Sequence, residues 1–126
     1  MDATPDATPQ AIVLFGHGSR DPLWRAPIEA VATRLRIADD GRAVRCAYLE
    51  LTEPDLATAV GELVAAGTMA VRIVPMFLGV GRHAREDLPV LVAGLRQAHP
   101  GLALEVAPAI GEDERVLDLL AQVARG

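Results

Sequence analysis

Apolar and polar positions follow two rhythms along this chain. Residues 11–15, Ala-Ile-Val-Leu-Phe, form an unbroken apolar run that stops at Gly16, the pattern of a strand covered on both faces. The loop His17-Gly18-Ser19-Arg20-Asp21-Pro22 follows, and then Ile28, Val31, Ala32 and Leu35 recur at the spacing of one helical face. Gly41 closes that unit. A second apolar run, 43–49, is followed by Glu50. Thr52 and Asp55 resemble a capping pair around Pro54, ahead of a helix that carries Leu56, Val60, Leu63 and Val64 and stops at Gly67. The third run, 70–78, contains Pro75, which cannot donate to a ladder and marks the strand's last turn. After the loop Gly79-Val80-Gly81-Arg82-His83, a third helix is traced by Leu88, Leu91, Val92 and Leu95. Pro89 is expected in its first turn or at a bend, and His99-Pro100-Gly101 closes it. A weaker strand at 102–107 leads to a turn shaped by Pro108 and Gly111. The acidic start Glu112-Asp113-Glu114 and the stripe Val116, Leu117, Leu120 and Val123 complete the last helix.

Four β-α units in succession predict an α/β fold: a four-stranded parallel sheet, doubly wound, strand order 2-1-3-4, with helices on both faces and right-handed crossovers. A chain of 126 residues suits one such domain, read as residues 11–126. Residues 1–10, with two copies of Asp-Ala-Thr-Pro, lack the basic and apolar regions of a secretory signal and are read as a disordered leader.

Composition narrows the function. A formal net charge of -5 argues against nucleic acid, which needs a basic footprint. The few aromatics, Phe15, Trp24, Tyr48 and Phe77, make no stacking platform for single strands, and Trp24 and Phe77 are read as packing residues. No apolar run is long enough to span a bilayer. The single cysteine, Cys46, excludes an internal disulfide, which points to the cytoplasm, and is read as a strand residue.

Chemistry in such a sheet belongs at the carboxyl ends of the strands, where the strand order reverses. His17 follows strand 1, His83 follows strand 3, and Glu50 follows strand 2, so the topology gathers three residues that the sequence scatters. Two imidazoles and a carboxylate suit iron, cobalt or nickel and leave coordination positions open. Ser19, Arg20, Arg82 and Arg85 add donors and positive charge, while Gly79 and Gly81 let backbone approach a ligand closely. Arginines clustered beside histidines in an acidic chain indicate an anionic small molecule. Two other readings fit these residues: a non-catalytic divalent-metal carrier using both histidines, and a phosphate-handling enzyme with His17 as nucleophile.

Several segments together resemble one family. They are Gly16-His17-Gly18-Ser19-Arg20-Asp21-Pro22, Tyr48-Leu49-Glu50-Leu51-Thr52-Glu53-Pro54, Pro75 to Pro89, and Pro108-Ala109-Ile110-Gly111-Glu112-Asp113. In this order they are similar to the short sirohydrochlorin chelatases of the CbiX type. The resemblance implies a lyase that inserts cobalt, iron or nickel, as substrate, into the anionic tetrapyrrole sirohydrochlorin on the way to cobalamin or sirohaem. No organic cofactor is implied. It carries the metal-facing histidines onto His17 and His83, with Glu50 a third catalytic residue. Larger members hold two such halves in one chain, so one half implies a homodimer. Gly79-Val80-Gly81 departs from commoner versions with Pro or Tyr, which bears on the substrate lip.

Overall fold

The computed structural model describes residues 10–38 and 40–126, apart from the side chain of His83. The leader read from the sequence otherwise lies outside the described residues. Gln10 is tied to the sheet: its N–H donates to the Ala70 carbonyl and its carbonyl accepts from Ala43.

Four strands, β1 (Ala11–Gly16), β2 (Ala43–Tyr48), β3 (Ala70–Pro75) and β4 (Ala103–Val106), alternate with four helices, α1 (Ala26–Ala38), α2 (Leu56–Ala65), α3 (Arg82–Ala98) and α4 (Glu114–Arg125). The sheet order is β2-β1-β3-β4, every pairing is parallel, and the expected topology holds. β1 is buried along its whole length, as its unbroken apolar run requires in a strand with a neighbour on each side.

Alternation along the strands divides the core in two. Val13 and Phe15 of β1 join Val71 and Ile73 of β3 beneath Leu56, Val60 and Leu63 of α2 and Leu95 of α3. Ile12, Leu14 and Val44 point the other way, onto Ala32 of α1. Helices therefore cover both faces. Phe15 is fully buried, and its truncation to alanine costs about 3–5 kcal/mol.

Local chemistry sets the boundaries. The Asp55 carboxylate accepts from the Thr58 N–H at 2.8 Å and caps α2. Gly67, at φ 98°, supplies the left-handed turn after it. Three expectations are corrected. β3 ends at Pro75, so residues 76–78 belong to the following loop, although the Met76 N–H still reaches the Phe15 carbonyl at 2.8 Å. α3 begins at Arg82, which puts His83 in its first turn and not in the loop, and Pro89 well inside the helix. Thr52 takes no part in the α2 cap. Among the described residues the apolar stripe of α4 is left largely uncovered: no residue of the helix is buried, and Leu117, Leu119, Leu120 and Val123 are all exposed.

Candidate functional site

Parallel pairing continues past the ends of β1 and β2. The Leu49 N–H donates to the Gly16 carbonyl at 2.9 Å, and the Glu50 N–H donates to the His17 carbonyl at 3.1 Å. This extension sets His17 and Glu50 side by side, and their side chains meet, Nε2 to Oε1, at 3.1 Å. Both are about half exposed, 54% and 55%, so an incoming ligand can reach the pair.

Glycine makes that approach feasible. Gly18 has φ +96°, and a Cβ on it would lie 1.8 Å from the Glu50 carbonyl oxygen. On the other side, the Thr52 N–H donates to the Glu50 carbonyl at 2.8 Å and Leu51 sits at φ 64°. A non-glycine residue held there stores strain. A hydroxyl then ties the two loops together. Thr52 Oγ1 accepts from the Ser19 N–H at 3.0 Å and donates to the Ser19 carbonyl at 2.8 Å. Ser19 Oγ in turn accepts from the Asp21 N–H at 3.0 Å.

The third loop, after β3, is braced differently. Phe77 is buried edge-on to Phe15, with ring centroids 5.8 Å apart. The Gly111 N–H donates to the Phe77 carbonyl at 3.0 Å, and a Cβ at Gly111 would lie 1.7 Å from the Leu78 carbonyl oxygen. The turn before α4 thus fixes the loop that leads into α3 and His83. Gly81 caps α3 without a side-chain bond, and Gly79 has open space around it. Arg20 is exposed. Arg82 is exposed and pairs with Glu86 at 3.1 Å, while Arg85 donates to the Val80 carbonyl at 3.4 Å.

Three cavities open at this end of the sheet, and two of them flank the loop after β3. One, of about 440 Å³, is lined by His17, Ser19, Trp24, Met76, Leu78 and Gly79. The other, of about 780 Å³, is apolar and lies beneath α3, lined by Phe77, Val80, Leu88 and Val92 among others. The larger contains neither His17 nor Glu50; His17 lines the smaller, and Glu50 lines a third cavity, of about 540 Å³, with Leu51 and Thr52. Tyr48 also lines the smaller cavity. Burial pushes its phenol up to about 12 and raises the neighbouring Cys46 thiol, so neither supplies an anionic donor at neutral pH. Among the described residues no group of three or more His, Cys, Asp and Glu side chains is arranged to hold a metal. The donor set they contain is the His17–Glu50 pair.

The strand order led to the expectation that His17 and Glu50 lie together, and they do; the Thr52–Ser19 bonds and the exposure of Trp24 were not expected. The Thr52 signal was hidden by its place before Pro54, where a helix cap is the local expectation. Trp24, expected to pack, is 72% exposed.

The family model described as CbiX matches residues 11–125. The sirohydrochlorin cobaltochelatase of Methanopyrus kandleri is 35% identical over 82 residues, covering 65% of this chain and 57% of that protein. The match thus spans little more than half of that relative. Among solved structures, the cobalamin (vitamin B12) biosynthesis CbiX protein of Marinobacter aquaeolei VT8 superposes with TM-score 0.80 at 32% identity, covering 93% of this chain and 95% of that one. The sirohydrochlorin chelatase SirB of Bacillus subtilis subspecies spizizenii, solved in complex with cobalt, superposes with TM-score 0.78 at 26% identity. That match covers 94% of this chain but 50% of SirB.

Proposed function

This chain belongs to the CbiX family, and from that premise we propose that it is a sirohydrochlorin metal chelatase, inserting cobalt, iron or nickel into the ring. The observation that carries the reading is the 3.1 Å contact between His17 Nε2 and Glu50 Oε1 at the carboxyl end of adjacent strands. Two ligands at right angles, each about 2.1 Å from one ion, stand about 3 Å apart. At that spacing the imidazole and the carboxylate can both face one ion, the neutral ring binding through Nε2.

Two donors hold an ion and leave most of its coordination sphere open, which a metal destined for transfer needs. His83, on the first turn of α3, is the third donor in this reading. Sirohydrochlorin brings four ring nitrogens and loses two N–H protons as the metal enters. As the nitrogens displace protein ligands, His17 and Glu50 become free to accept those protons. The ring periphery carries carboxylates. In this reading Arg20, Arg82 and Arg85 grip them, and Ser19, Gly79 and Gly81 line the approach. Arg82 exchanges Glu86 for the substrate when it does so. Such peripheral binding supplies the energy to distort the ring toward the metal.

The reading also includes a cytoplasmic homodimer. It is supported by the match to half of SirB and by the exposed apolar stripe on α4, which a second copy would cover. No described helix is long and apolar enough to cross a membrane. The test of the function is the visible spectrum of sirohydrochlorin mixed with purified protein and cobalt: accelerated conversion supports it, and none contradicts it.

A further inference from the structure

Large apolar side chains crowd the rim of the site instead of the core. Trp24 is 72% exposed and Leu78 63%, and both follow the carboxyl ends of strands, Trp24 in a 3₁₀ turn after β1 and Leu78 in the loop after β3. Scattered surface leucines need no explanation, but a contiguous apolar surface beside polar chemistry does. Trp24, Met76 and Leu78 line the same cavity as His17, and Arg25 lies on its wall.

Trp24 is also held in place. It sits in the 3₁₀ turn Pro22–Arg25, where its N–H donates to the Asp21 carbonyl at 3.1 Å. The Asp21 carboxylate accepts from the Leu23 N–H at 3.0 Å, and the Asp21 N–H is bound by Ser19 Oγ. Through Ser19 the turn is tied to Thr52 and so to the loop that carries Glu50. These bonds fix the backbone that carries the indole, and the indole itself stands in water where a partner can meet it.

We infer that Trp24 and Leu78 form an apolar platform that carries one face of the tetrapyrrole while His17 presents the metal ion from below. The inference rests on the chelatase reading and adds the residues that recognise the ring itself. The occupant follows from the cavity's chemistry. A planar ligand with apolar faces and an anionic edge matches apolar walls flanked by arginine. An indole face suits a conjugated ring better than a flexible aliphatic one.

The test compares wild type, Trp24→Ala, Trp24→Phe and Leu78→Ala in three measurements. These are equilibrium binding of metal-free sirohydrochlorin by absorbance, KM for sirohydrochlorin at saturating cobalt, and molar mass by light scattering. Trp24→Ala is expected to weaken sirohydrochlorin binding and raise its KM by about tenfold. Cobalt dependence and mass should stay unchanged, with Trp24→Phe retaining most of the affinity and Leu78→Ala intermediate. Unchanged sirohydrochlorin binding in Trp24→Ala overturns the platform. A drop in mass with unchanged binding overturns it too, and assigns the rim to contact between copies. A wild type that binds sirohydrochlorin through Trp24 but never inserts metal overturns the chelatase reading and leaves the platform standing. A wild type that does not bind sirohydrochlorin overturns both.

Discussion

His17 and Glu50 stand thirty-three positions apart in sequence, and their side chains meet at 3.1 Å. The backbone bond from the Glu50 N–H to the His17 carbonyl, also 3.1 Å, makes that meeting a consequence of sheet pairing and not of loop chance. A pair this exposed adds little to stability, about 1 kcal/mol or less. Stability therefore gives little account of the pair, and the proposed metal role supplies one.

Glu50→Gln separates the two roles. The amide keeps a hydrogen bond to His17 but loses the anionic donor. The expected outcome is an unchanged melting temperature with cobalt affinity reduced about tenfold or more, read by calorimetric titration of the purified protein. Wild-type affinity in the variant would remove Glu50 from the metal site.

Thr52 positions the loop that bears His17 through two hydrogen bonds to Ser19. Thr52→Val removes both and leaves the half-buried Ser19 N–H without its acceptor, at a cost of about 1–3 kcal/mol. Thr52→Ser restores the hydroxyl. The account expects Thr52→Val to lower kcat more than it raises KM for sirohydrochlorin, with Thr52→Ser recovering most of the loss. Equal activity in the valine and serine variants would reduce Thr52 to filler.

The reach of the sequence can be judged at these positions. The apolar run 11–15 reads as a strand covered on both faces, and the strand order follows from the common doubly wound arrangement of four β-α units. Glu50 was legible because its strand neighbours His17's strand. Thr52 was not, since its partner Ser19 is supplied by tertiary structure while the local context of Pro54 and Asp55 suggests a cap. The stripe of α4 was legible as apolar and silent about its seat: periodicity reports which face avoids water, not what covers it. Trp24 misled for a related reason. An aromatic residue in an α/β chain ordinarily packs, and only the structure shows this one on a rim.

That stripe predicts an assembly. Leu117 and Leu120 are exposed at 41% and 42%, and Leu120→Glu should leave the fold intact, because no residue of α4 contributes to the buried core. In light scattering the wild type is expected at twice the chain mass and Leu120→Glu at the chain mass. A wild type that is monomeric at micromolar concentration would contradict the dimer.

Stability should depend on acid through the cap of α2. Hydrogen bonds from the Thr58 side chain and N–H hold the Asp55 carboxyl below its usual range. Because the folded pKa is depressed, the cap contributes fully above the unfolded value, about 4, and its contribution is lost as pH falls through the lower folded value. Asp55→Ala is expected to cost about 1 kcal/mol at neutral pH, a fall of about 4 °C in melting temperature. The gap between variant and wild type should narrow below pH 4. A gap that stays constant down to pH 2 would remove the ionised cap as its cause.

The central claim is that this chain moves a metal ion from histidine into a tetrapyrrole, and one measurement bears on it most directly. Sirohydrochlorin is mixed with cobalt and either wild type or the His17→Ala/His83→Ala double variant, and its visible absorption is followed in time. The account predicts rapid conversion to the metal complex with wild type and the uncatalysed rate with the double variant, both proteins being folded by circular dichroism. Equal rates for the two proteins would contradict it.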